Sequence, residues 1–163
     1  MSSRQRIFLL LEQGLGSVFV NLPLNALIAW LAFRGAAEVP FWGSQSIAGD
    51  TVGTCFVLPL ITTLVATPLS RHRVRSGTLE PLAWTERMRA TLGRLPAGTW
   101  WRGVAFGALT TIAVAPLALA VLRGVGMDAL SVGSFVAFKA VFAAALGALV
   151  TPIIAGYAIA EPA

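Results

Sequence analysis

The chain has 163 residues, of which 56% are hydrophobic and only 12% charged, with a formal net charge of +5. Soluble domains carry about a quarter charged residues, so an ordinary water-soluble fold is excluded. The positive charge sorts by loop rather than along one face, so no nucleic-acid partner is expected.

The N-terminal stretch MSSRQRIFLLLEQG imitates a secretory leader. Its apolar run, Ile7 to Leu11, ends at Glu12 and Gln13. That is shorter than the roughly 7–15 residues a cleavable leader uses, so it reads as the charged lead into a first membrane span. A span needs about 20 mostly apolar residues to cross roughly 30 Å of hydrocarbon. Four stretches qualify: roughly Gly14 to Phe33, Thr51 to Ser70, Gly103 to Leu122, and one within Ala129 to Ala160. The apolar runs are continuous rather than alternating, which excludes a membrane β-barrel. The expectation is an all-α integral membrane protein with four transmembrane helices.

The first span holds polar residues at an interval of four: Gln13, Ser17, Asn21 and Asn25. Residues four apart share a helix face, and this stripe extends about 18 Å along the axis. Pro23 lies within it and leaves the Phe19 carbonyl without its helical donor. Two readings stay open. Asn21 or Asn25 repairs the break or ties helices together, or the stripe lines a cleft for a polar ligand. The second span adds Thr54, Thr62, Thr63 and Thr67, although threonine hydroxyls also bond back to their own helix. Pro59, Pro68, Pro116 and Pro152 free further carbonyls; broken helices of that kind can form binding sites at the bilayer centre and are also common as packing kinks. Asp50 precedes the second span and reads as its N-cap.

Between the second and third spans lies a basic segment. Arg71, Arg73, Arg75, Arg87, Arg89, Arg94 and Arg102 fall here, and Arg4 and Arg6 lie at the N-terminus. The other two loops have only Arg34 and Arg123. This bias places both termini and the basic segment in the cytoplasm. From Pro81 to Leu95, apolar Trp84, Met88, Leu92 and Leu95 oppose Glu86, Arg87, Arg89 and Arg94, the pattern of an interfacial amphipathic helix. Trp84, Trp100 and Trp101 mark that interface, with Arg87 and Arg94 for the headgroups. Trp30 and Trp42 mark the opposite one. Arginine outnumbers lysine eleven to one, a composition that suggests a bacterial inner-membrane protein from a GC-rich genome.

The chain reads as written twice. RGAAEVPFWGS follows the first span and RGVGMDALSVGS the third, each with an acid five residues before Gly-Ser. Pro23 and Pro116 interrupt the odd spans, and Thr67-Pro68 and Thr151-Pro152 end the even ones. The expectation is two tandem helical hairpins, 1–70 and 103–163, around a linker of 71–102. Counting back from the Thr-Pro pairs, Lys139 aligns with Cys55, so its charge is not part of the repeat. Lys139 reads either as an interfacial anchor or as a functional charge, pairing with Asp50 or Asp128 or attracting an anion.

Gly103 and Gly107 form a GxxxG pair, and Ala140, Ala144 and Ala148 form a small-residue ridge, both suited to close helix approach. One histidine, His72, and one cysteine, Cys55, make no metal or redox motif, so no cofactor and no enzyme activity is expected. The leading functional reading is binding or movement of a small solute or ion in a polar cleft formed by Gln13, Ser17, Asn21, Asn25, Thr62 and Lys139. The alternatives are an accessory, assembly or immunity-type subunit that binds another membrane protein, and a lipid-binding protein. Expected partners are membrane lipids and either a second copy or another membrane protein.

Overall fold

The computed structural model describes residues 2–160 apart from Trp84, Arg87, Met88, Arg89, Thr91, Leu92, Arg94 and Ala97. Hydrocarbon offers the backbone no hydrogen-bond partners, so long apolar segments become helices that satisfy themselves. Four helices long and apolar enough to cross a membrane result, and they pack as a bundle. The protein is a multi-pass membrane protein by this measure.

The first helix begins earlier than the composition suggests. Helix α1 (Ser3–Ile7) passes through a π-helical segment, Phe8–Leu15, into α2 (Gly16–Phe33) without a break. Strand β1 (Glu38–Pro40) follows, then α3 (Ile47–Arg75), α4 (Thr99–Gly124), β2 (Ala129–Ser131) and α5 (Val132–Ala160). The two short strands are an addition to the helical expectation. They pair antiparallel, Glu38 with Ser131, Val39 with Leu130 and Pro40 with Ala129, and the Phe41 amide extends the ladder to the Asp128 carbonyl at 2.8 Å. Both strands come from the loops that resemble each other in sequence. Trp84, Arg87 and Arg94 of the expected amphipathic helix lie outside the described residues.

The two spans of one hairpin are not the ones that pack on each other. α2 lies along α5, α3 along α4, and α3 and α5 meet at the centre. Each span of one hairpin therefore lies along a span of the other, and the two hairpins form one bundle. α5 is the hub, with half of its apolar window buried inside the protein against 17% for the first span. The reason for the α4–α3 pairing is visible at their contact. A Cβ on Gly107 would sit 2.7 Å from the Phe56 carbonyl oxygen, and one on Gly103 would sit 2.7 Å from a Leu60 methyl group. The absent side chains are what let the two backbones approach.

Three apolar clusters hold the bundle. Cys55, Leu58, Phe106, Leu146 and Ile154 fill the middle. Phe33, Val39, Phe41, Ile47 and Phe135 close the strand end, where the Phe33 and Phe135 rings meet edge to face at 4.7 Å. Phe8, Leu9, Leu79, Ala155 and Ile159 close the arginine-rich end. Buried Gln5 binds that end to the segment after α3 by donating to the Glu80 and Pro81 carbonyls, both at 3.2 Å.

The prolines do not break their helices. Pro23, Pro59, Pro68, Pro116 and Pro152 all lie inside continuous helices. No unwound segment interrupts these helices among the described residues, so proline-freed loops are not the basis of a site.

Candidate functional site

Because α2 and α3 each pack on another helix, a groove is left between them, floored by α5. At the strand end it is a cavity of about 300 Å³ lined by Asn21, Asn25, Asp50, Thr54, Thr62 and Lys139 among apolar neighbours. It continues toward the arginine-rich end as a second cavity of about 420 Å³, where Glu12, Gln13, Ser17 and Thr151 join Asn21 and Thr62. The structure thus brings Gln13, Ser17, Asn21, Asn25, Thr62 and Lys139 to one groove. The four residues of the α2-side stripe are half-buried or buried, whereas Phe19 and Leu22, on other faces of α2, are exposed. Leu24 and Ile28, both about half exposed, form the lip of the groove.

The asparagines do not repair Pro23. The Asn21 amide donates to the Ser17 carbonyl at 2.9 Å and the Asn25 amide to the Asn21 carbonyl at 3.0 Å. Neither donates to the Phe19 carbonyl. The asparagines are therefore braced along their own helix, and Asn21 also abuts α5: a Cβ on Gly147 would come within 2.6 Å of its amide nitrogen. Their side-chain carbonyl oxygens are left as acceptors. Among the described residues the one bond to either is the long 3.5 Å contact between the two side chains. Thr63 bonds back to the Pro59 carbonyl at 2.7 Å, as helical threonines do. Thr62, one position earlier, does not.

An ion pair stands at each end. Lys139, 6% exposed, donates to Asp50 Oδ1 and joins α5 to α3 at the strand end. Asp50 is not the N-cap of α3. That place belongs to Ser46, whose hydroxyl accepts from the Gly49 amide at 3.1 Å. Asp50 lies in the first turn, where the helix dipole also favours its charge. At the other end Glu12 pairs with Arg73, with both side chains nearly half exposed. Asp128, the alternative partner for Lys139, pairs instead with Arg123 in the last turn of α4.

No family model, curated protein or solved structure matches this chain. The reading of the site rests on its geometry.

Sequence reasoning misses several members. Thr151 is visible there only as half of a repeated Thr-Pro pair, yet its hydroxyl is buried on the groove floor with no hydrogen-bond partner. Arg102 reads from the sequence as a loop charge, but it is fully buried, with its guanidinium 4.3 Å from the Tyr157 ring centre and its Nε donating to the Pro96 carbonyl at 3.3 Å. It braces the arginine-rich end. The exposed tryptophans Trp30 and Trp42 lie toward the strand end, and Trp100 and Trp101 at the start of α4 toward the other. His72 is exposed among its arginines. No group of three or more potential metal-ligating side chains occurs among the described residues.

Proposed function

We propose that this protein binds a small solute in the groove between α2 and α3 and presents or passes it across the membrane. The observation that carries the reading is the convergence of Asn21, Asn25, Thr62 and Thr151 from three helices on one cleft. Polar side chains in a bilayer cost free energy wherever they lack a use or a partner. A purely structural stripe would end in interhelical bonds, and among the described residues the asparagine amides make none.

We read the chain as an internal duplication, and two features support this. The packing pairs exchange consistently: swapping the hairpins turns α2 on α5 into α4 on α3 and leaves the α3–α5 contact in place. The strands behave alike, since the repeat sets Glu38 on Asp128 and Phe41 on Ser131, and the ladder pairs Glu38 with Ser131 and joins Phe41 to Asp128. The counterpart positions in the other repeat are not polar. Aligning Pro23 with Pro116 sets Asn21 and Asn25 against Val114 and Ala118, and Lys139 aligns with Cys55. The polar groups belong to one repeat and not the other, which favours a specific ligand over a generic packing device.

The test is chemical accessibility. Thr62→Cys and Thr54→Cys, each in a Cys55→Ala background and purified in detergent free of bilayer lipid, should react with N-ethylmaleimide at least about tenfold faster than Ile112→Cys on the outer face of α4. A thiol needs water to ionise, so equal rates at the three sites would sink the reading.

The orientation is a separate proposal, drawn from the arginine bias. Reporters fused at Ala163 and within 78–95 should both report cytoplasm. An external signal from either would reverse the topology.

A further inference from the structure

The groove is charged only at its ends, and there each charge is already matched: Asp50 holds Lys139, and Glu12 holds Arg73. Between the pairs the lining side chains are neutral. Among the described residues a bare ion or a charged solute would find no counter-charge free along this path, and desolvating it there is costly. What the path offers is neutral hydrogen bonding. Among the described residues four buried hydroxyls lack a hydrogen-bond partner, those of Thr51, Thr67, Ser70 and Thr151, and of these Thr151, 6% exposed, is the one that lines the groove. Gln13 and Thr62 also make no hydrogen bond among the described residues, and the Asn21 and Asn25 side-chain carbonyl oxygens are spare acceptors.

The walls differ in kind. Val20, Leu24, Ile61, Val65 and Leu69 line the groove, and each is between 48% and 61% exposed. They are apolar and open sideways, because α2 and α3 do not pack on each other. A molecule arriving from the bilayer meets hydrocarbon-like flanks first and hydrogen-bonding groups beneath them. A cavity of this size suits a small-molecule ligand.

Resting on the binding role proposed above, we infer that the ligand is an uncharged amphiphile that enters laterally from the bilayer, with its hydroxyl or carbonyl groups against Thr151, Thr62 and Gln13 and its chain between Leu24 and Ile61. Thr151 then gains the partner it lacks.

Photolabelling of the protein in nanodiscs tests this, using two probes with the same diazirine-bearing acyl chain: diacylglycerol, which is neutral, and phosphatidylglycerol, which is anionic. Diacylglycerol should label α2 and α3 around Leu24, Ile61 and Val65 saturably, at least about fivefold above phosphatidylglycerol, and unlabelled diacylglycerol should compete. Thr151→Val should lower that labelling several-fold at unchanged protein yield, and Thr151→Ser should restore it. Equal or preferred labelling by phosphatidylglycerol overturns the proposal. So does non-saturable labelling, indifference to Thr151→Val, or exclusion of both probes by a second membrane helix in the groove. If Thr62→Cys and Thr54→Cys pass the maleimide test and diacylglycerol fails here, only the ligand class falls and the binding role stands.

Discussion

Asp50→Ala should destabilise the protein by about 3–5 kcal/mol, the range for removing one partner of a buried ion pair. The cost arises because Lys139 stays behind as a charge that is 6% exposed. It lies seven residues into α5, roughly 10 Å along the axis, and its side chain would have to reach the interface to recover water. That escape sets the effect toward the lower end of the range. Lys139→Met is expected to cost less, because the Asp50 side chain is 16% exposed and lies in the first turn of α3. Combining Asp50→Ala with Lys139→Met removes both charges and should recover most of the loss. Unfolding in detergent with increasing denaturant measures all three. If the double variant is as unstable as Asp50→Ala alone, the pair is not the source of the effect.

The pair also shows what the sequence discloses and what it hides. Lys139 is legible as an unusual charge, and Asp50 is legible as one of two acids that could meet it. Read without the structure, Asp50 nonetheless takes the capping role that Ser46 holds. Helix boundaries are weakly written in apolar chains, and the Ser46–Asp50 turn has a capping residue type at either end. The four helices are legible because hydrocarbon thickness dictates the length of apolar runs. The π-helical segment Phe8–Leu15 is not, because composition carries no record of which carbonyl each amide chooses. The groove is half legible: the α2 stripe follows from its interval of four, whereas Thr151 becomes part of the site only through the packing of α5 beside α2 and α3. That pairing is tertiary, and nothing in the loops distinguishes it from two closed hairpins.

Gly107→Ala should lower stability by about 1–3 kcal/mol, the usual range for overpacking. The new methyl would lie 2.7 Å from the Phe56 carbonyl oxygen and 3.0 Å from its ring edge. The first obstacle is backbone, so α4 must move away from α3 along its length. Between membrane helices this matters more than it would in water, since close packing rather than hydrophobic burial holds them together. Gly103→Ala should cost less, because its first obstacle is a Leu60 methyl group that can rotate aside. Gly53→Ala meets open space and should be neutral or stabilising by up to about 1 kcal/mol, as helix propensity favours alanine over glycine. The order Gly107, Gly103, Gly53 from worst to best is the prediction. Equal effects at Gly107 and Gly53 in thermal unfolding would mean that the α3–α4 approach is looser than described.

The exchange of partners between hairpins has a consequence for how the chain is made. Synthesis delivers α2 first and α5 last, and each is the other's main contact. Until α5 enters the bilayer, the face of α2 that bears Asn21 and Asn25 has lipid where its neighbour will be. α3 meets α4 before it meets α5, so three helices are present before the hub that joins them arrives. The docking of α2 is then a late event that waits for α5, whereas α3 and α4 can pair before it. A chain stalled after β2 would hold a half-built bundle with polar side chains facing hydrocarbon, the kind of intermediate that membrane quality control removes.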